Sequence, residues 1–127
     1  MPRISPRRGA WLLAAGRAAL GVAVLAAPEQ VTSRWLGRDN AQLPIVGDLA
    51  RSLGARDLAL GLATLRTLED PVNGPRVQQL CALVDAVDVL ATVVARRSLP
   101  RAGVYGTVAI AGAAAGAGLY FASRPAR

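Results

Sequence analysis

Two arginines and three aspartates stand deep inside stretches made almost wholly of alanine, leucine, valine and glycine. They are Arg17 in GAWLLAAGRAALGVAVLAA, the adjacent Arg56 and Asp57 in GARDLALGL, and Asp85 and Asp88 in VQQLCALVDAVDVLATVVA. Carboxylates in such surroundings have two uses: they can hold a proton or a cation at mid-depth, or they can fasten helices together through arginine. The residue types exclude much else. The chain has no histidine, so the usual imidazole base and metal ligand is missing, and its single Cys81 can build neither an intramolecular disulfide nor a thiolate metal shell. Two aspartates three apart with one cysteine do not complete a zinc shell, and arginines nearby would repel a cation. No cofactor fingerprint is present, so no catalytic, cofactor-binding or metal residue is assigned. What remains is a candidate charge network of Arg17, Arg56, Asp57, Asp85 and Asp88, with Arg51, Cys81 and Thr92 as secondary members.

The elements that would position these charges follow from composition. The chain of 127 residues has room for one domain, and its 53% hydrophobic but only 4% aromatic content suits close helix contacts in lipid better than a water-soluble core. Four apolar segments are expected as helices, at about 9–27, 48–66, 77–95 and 102–123, the first of about 19 residues and therefore bilayer length. The fold class read from them is all-α, a single four-helix transmembrane bundle spanning 1–127. EDPVNGPR at 69–76 reads as a tight turn and RRSLPR at 96–101 as a short basic one, which makes neighbouring helices antiparallel. The longer connection between the first two helices contains VTSRWLG, with Val31 and Trp35 four apart. A short amphipathic piece at the interface is expected there, with Trp35 at headgroup depth; a solvated loop is the alternative. MPRISPRR followed by an apolar run raises the question of a signal peptide, but Arg17 would interrupt its apolar region, so a retained helix is expected.

Depth then constrains the charges. Arg17, the Arg56–Asp57 pair and the Asp85–Asp88 pair all fall near the centres of their helices, and one such group facing lipid costs about 2.5–3.5 kcal/mol. They must face protein and pair with one another. On the third helix Gln78, Cys81, Asp85, Asp88 and Thr92 share one stripe, while Leu80, Leu83, Val87, Leu90 and Val94 cover the opposite face. On the second, Ala50, Gly54, Asp57, Gly61 and Thr64 form one small-residue stripe and Ser52, Arg56, Ala59 and Ala63 another, as for a helix packed between two neighbours. Adjacent helical residues do not face each other, so Arg56 and Asp57 are expected to serve different partners rather than each other. Arg17 and Arg56 would neutralise Asp85 and Asp88, with Asp57 completing the cluster and Arg51 about two turns outward, snorkelling, so that three arginines balance three aspartates. On the fourth helix Gly112 and Gly116, with Ala109, Ala113 and Ala117, form small rows suited to packing within the bundle or to dimerisation.

The formal charge of +7 is carried by arginine alone. Most arginines flank the apolar segments, as where a protein meets anionic headgroups, rather than lining one solvated face as nucleic-acid binding requires. Arg3, Arg7, Arg8, Arg124 and Arg127 favour a cytoplasmic side for both termini in the plasma membrane, although Arg96, Arg97 and Arg101 then face outward, against the rule. RWLGRDN at 34–40, LARSLGARDLALGLATLR at 49–66 and LVDAVDVLATVVARR at 83–97, with the small-residue final helix, resemble a group of small four-helix membrane proteins and are distantly similar to the DoxX-like superfamily of bacteria. The resemblance implies a four-helix membrane fold. The quinone-dependent sulfur oxidation linked to some DoxX relatives does not carry over, because no catalytic residue here can be matched to it. The expected function is that of a small integral membrane protein: an accessory, scaffold or lipophile-binding bundle with a structural Arg/Asp network, in contact with the bilayer and with a second copy or another membrane protein. The alternative is an oligomeric proton or cation relay through the aspartates, and the weakest reading is a quinone-linked oxidoreductase subunit.

Overall fold

The computed structural model describes residues 5–124; Arg3 and Arg127, used above for orientation, lie outside that range. Among the described residues there are six α-helices and no strand: α1 (Pro6–Ala26), α2 (Pro28–Leu36), α3 (Arg38–Ala41), α4 (Pro44–Thr67), α5 (Asn73–Val94) and α6 (Arg101–Ala122). Of these, α1, α5 and α6 are long and apolar enough to cross a membrane. α4 has the length, at 24 residues, but carries Asp48, Arg51, Arg56, Asp57 and Arg66 along it.

Three helices start earlier than hydropathy suggests, because their first turns are set by proline and local hydrogen bonds rather than apolarity. Ser5 accepts the Arg8 amide and Pro6 occupies the first helical turn, so Arg7 and Arg8 lie inside α1 instead of before it. Pro44 likewise opens α4. In EDPVNGPR the turn ends by Val72 and α5 has begun at Asn73: Asp70 accepts the amides of Val72 and Asn73, both at 2.8 Å, and the Asn73 side chain at 2.7 Å. These bonds hold the exposed Asp70 carboxyl below its ordinary value, the Asn73 amide contributing most.

The connection after α1 is helical rather than open. α2 buries Pro28 and Thr32, and Gly37, at φ 84°, ends it in a conformation that disfavours any side chain. The turn of helix α3 that follows was not legible in the sequence. Trp35 turns inward: its backbone carbonyl and indole Cδ1 lie against Gly103 of α6, where a Cβ would have no room, and its Nε1 is buried without a partner.

The long helices pack in a cycle, α1 on α4, α4 on α5, α5 on α6 and α6 on α1. α1 and α4 run antiparallel and nearly touch. A Cβ added at Gly21 would lie 2.5 Å from the Leu58 nitrogen, and one at Gly61 would lie 2.7 Å from the nitrogen of Ala18. The stripe Ala50, Gly54, Gly61 and Thr64 is accordingly buried. The second small stripe is looser: Ser52 and Ala59 are exposed while Arg56 reaches Asp88, so α4 lies between α1 and α5 with its close face against α1.

Burial is inverted relative to a water-soluble domain. No large side chain among the described residues is fully buried; the interior is Ala10, Ala14, Ala50, Ala82, Cys81, Thr64, Thr92, Gln78 and Asp85. On α5, Leu83 and Leu90 are 61% and 64% exposed while Asp85 is 5% exposed. Water would favour the reverse, since leaving one leucine exposed forgoes about 1.5–3 kcal/mol and burying a carboxylate costs several. A hydrocarbon solvent favours this arrangement, and with three spanning-type helices it marks a membrane protein.

Candidate functional site

Three helices deliver the charges to one place. Arg17 of α1 donates to Asp85 of α5 through Nη2 and, through Nη1, to Asp57 Oδ1 of α4 at 3.3 Å. Arg56 of α4 forks onto Asp88 of α5, Nη1 to Oδ1 at 3.1 Å and Nη2 to Oδ2 at 2.7 Å, the two-pronged geometry in which guanidinium and carboxylate match best. Asp57 Oδ1 bridges the two arginines, because Arg56 Nη2 also reaches it at 3.3 Å. This corrects the expectation that neighbours on a helix cannot pair: their Cβ atoms diverge, but an arginine side chain is long enough to fold back while the same guanidinium holds Asp88.

Arg51 is not part of this group. It pairs with Asp48 one turn earlier at 3.6 Å, and both side chains are largely exposed. Two guanidiniums therefore face three carboxylates, instead of the balanced three and three, and the network carries one negative charge unless a proton or cation accompanies it. Cys81 is buried with Sγ 3.5 Å from Thr64 Oγ1, a contact between α5 and α4 one level above the ion pairs, and Thr92 is buried on the same α5 stripe. Among the described residues no three His, Cys, Asp or Glu side chains come together in a way that could hold a metal ion.

No family model, curated protein or solved structure matches the chain. The site is therefore read from its geometry alone. A cavity of about 20 Å³ adjoins Arg17 and Asp85, walled by Ala14, Thr64, Gln78, Cys81 and Phe121 among others. Gln78 is buried, and its Oε1 has no hydrogen-bond partner. Gln78 and Thr64 were visible in the sequence as polar members of helical stripes, yet nothing in their spacing marked them as lining a cavity. Phe121, the only phenylalanine, gave no sequence signal; its ring lies over Gly9, where an added Cβ would be 2.5 Å from Cζ.

Proposed function

We propose that the protein is a four-helix transmembrane bundle with antiparallel neighbours, formed by α1, α4, α5 and α6, in which the Arg17, Arg56, Asp57, Asp85 and Asp88 network is a structural fastener. On this reading the chain is an accessory or scaffold protein, or one that binds a lipophile at its surface, and it does no chemistry of its own. The observation that supports it is the coincidence of inverted burial with paired charge: leucine and valine face outward, while the five charged residues near the helix centres, Arg17, Arg56, Asp57, Asp85 and Asp88, are all joined in ion pairs. Interfaces made of alanine and glycine are close but carry little information about partner or register. An ion-pair set reaching from α1 to α4 and α5 fits only one arrangement of the three.

α4 would insert poorly alone and well once α1 and α5 neutralise it. α2 and α3 then cover the end of the bundle opposite the termini, and the termini face the cytoplasm, as the flanking Arg7, Arg8 and Arg124 favour. The expectation of a second copy or another membrane protein beside the bundle is supported by Gly112 and Gly116, which meet nothing within 4 Å in this chain. Extraction tests the reading: the protein should stay in the membrane fraction through alkaline and high-salt washes and leave it only with detergent, whereas release by alkali would refute it.

One observation favours a second reading, that of a proton or cation relay: the unequal count of carboxylates and guanidiniums in the network. Flux into proteoliposomes that disappears in a folded Asp85→Asn variant would establish it, and absence of flux for any ion would leave the structural reading alone.

A further inference from the structure

The cavity beside Asp85 has a neighbour. A second cavity, also of about 20 Å³, lies toward the end of the bundle that carries the chain termini and the α4–α5 turn; it is walled by Pro6, Arg7, Leu68, Glu69, Asp70 and Arg124 among others. Ala10, Gln78 and Phe121 line both. Each is large enough for one water, which needs about 10–15 Å³ and two or more polar partners. The inner cavity offers Asp85, Arg17, Thr64 and Gln78; the outer offers Gln78, Glu69, Asp70, Arg7 and Arg124. Gln78 is buried at the junction with Oε1 unpartnered, in a position where a buried carbonyl oxygen without a hydrogen bond costs about 1–3 kcal/mol. A water in either cavity would satisfy it.

We propose that Asp85 exchanges a proton with the membrane face bearing the termini, through a short water chain seated in these two cavities and held by Gln78. The step is balanced within the network. Hydronium arriving through the outer cavity gives its proton to Asp85 Oδ1, the oxygen that Arg17 does not hold, and leaves as water; the network passes from one net negative charge to none. The charged groups around Asp85 are Arg17 from α1, Arg56 and Asp57 from α4 and Asp88 from its own helix, while α6 brings none, so the proton is shared with a coupled set of three carboxyls. The two cavities lie between Asp85 and the end of the bundle that carries the termini, so that side is the one from which the proton arrives. The inference rests on the membrane reading but not on transport: a one-ended proton well stands whether or not the protein moves protons across.

The test is infrared spectroscopy of the full-length protein in vesicles of known orientation, following the carbonyl stretch of a protonated carboxylic acid after acidification of one side. The band should appear when the terminus-bearing side is acidified and not when the opposite side is. Asp85→Glu, which keeps the charge, should shift its frequency, and by more than Asp57→Glu does. Gln78→Leu, similar in size and unable to hold water, should slow its appearance about tenfold, the equivalent of one lost hydrogen bond, without lowering thermal stability. Absence of the band, equal response from both sides, a frequency indifferent to Asp85→Glu, or an unchanged rate in Gln78→Leu would each overturn the proposal. Intact ion-pair energetics alongside any of those results would leave the structural reading standing.

Discussion

Replacing Arg17 by leucine removes the one cation that holds Asp85. The Arg17 side chain is 10% exposed and that of Asp85 7%, so neither can turn to water. Asp57 keeps Arg56 at 3.3 Å, but Asp85 is left as an unpaired buried charge and the network goes from one net negative charge to two. Breaking a buried pair from one side costs about 3–5 kcal/mol. Asp85→Leu should cost less, about 1.5–3 kcal/mol for the lost charged hydrogen bond, because Arg17 retains Asp57. The double variant removes both ends together, so it should be more stable than Arg17→Leu alone, with a coupling energy of about 2–3 kcal/mol. That exceeds the average of about 0.6 kcal/mol for interhelical hydrogen bonds in membranes because both partners are ions. Reversible unfolding in mixed micelles of increasing denaturing-detergent fraction, followed by far-ultraviolet circular dichroism, gives all four stabilities. The control is Arg7→Leu, whose partner Glu69 is mostly exposed and whose loss should cost no more than about 1 kcal/mol. Losses that add to within about 0.5 kcal/mol would refute the reasoning, because independent sites behave in that way.

Other consequences can be checked separately. Gly61→Ala should destabilise the fold by about 1–3 kcal/mol, since its Cβ would meet the α1 backbone, whereas Gly116→Ala, in open space, should be neutral or slightly stabilising in the same unfolding assay. Arg51→Leu should leave stability within about 1 kcal/mol of the parent, because its pair with Asp48 is exposed and outside the network. Asp70 is held below its ordinary value, so its contribution is present above the unfolded value and lost as pH falls through the folded one; the stability gap between the parent and Asp70→Ala should therefore close below about pH 4. A gap that widens in acid would rule out the role given to the Asp70 hydrogen bonds.

Much of α5 could be read in advance because a helix confronted with lipid on one side and charge on the other must segregate them. Of the stripe Gln78, Cys81, Asp85, Asp88 and Thr92 all but the half-buried Asp88 are buried, and Leu80, Leu83, Val87, Leu90 and Val94 are exposed. The helix starts were less legible because hydropathy is blind to the Ser5 cap and to the Asp70 turn, which settle where α1 and α5 begin by hydrogen bonding. The fold-back of Arg56 onto Asp57 could not be inferred from Cβ directions, which describe where a side chain starts and not where a flexible one of arginine's length ends. Arg51 was drawn into the network by counting charges, and the structure instead gives it Asp48, the nearer and cheaper partner. The cavity at Gln78 depends on residues from α1, α4, α5 and α6 at once, a convergence that no single stretch of sequence displays.

Hydrocarbon, not water, surrounds the α5 face opposite the charges. Spin labels placed singly at Leu80, Leu83, Val87, Leu90 and Val94 in a Cys81→Ser background, with the protein in bilayers, measure this through collision with dissolved oxygen and with a polar paramagnetic complex. Oxygen accessibility should be high and polar-complex accessibility low at Leu83, Val87 and Leu90, with the polar complex gaining access only toward Leu80 and Val94. Ready access of the polar complex to Val87 and its neighbours would contradict a hydrocarbon surround.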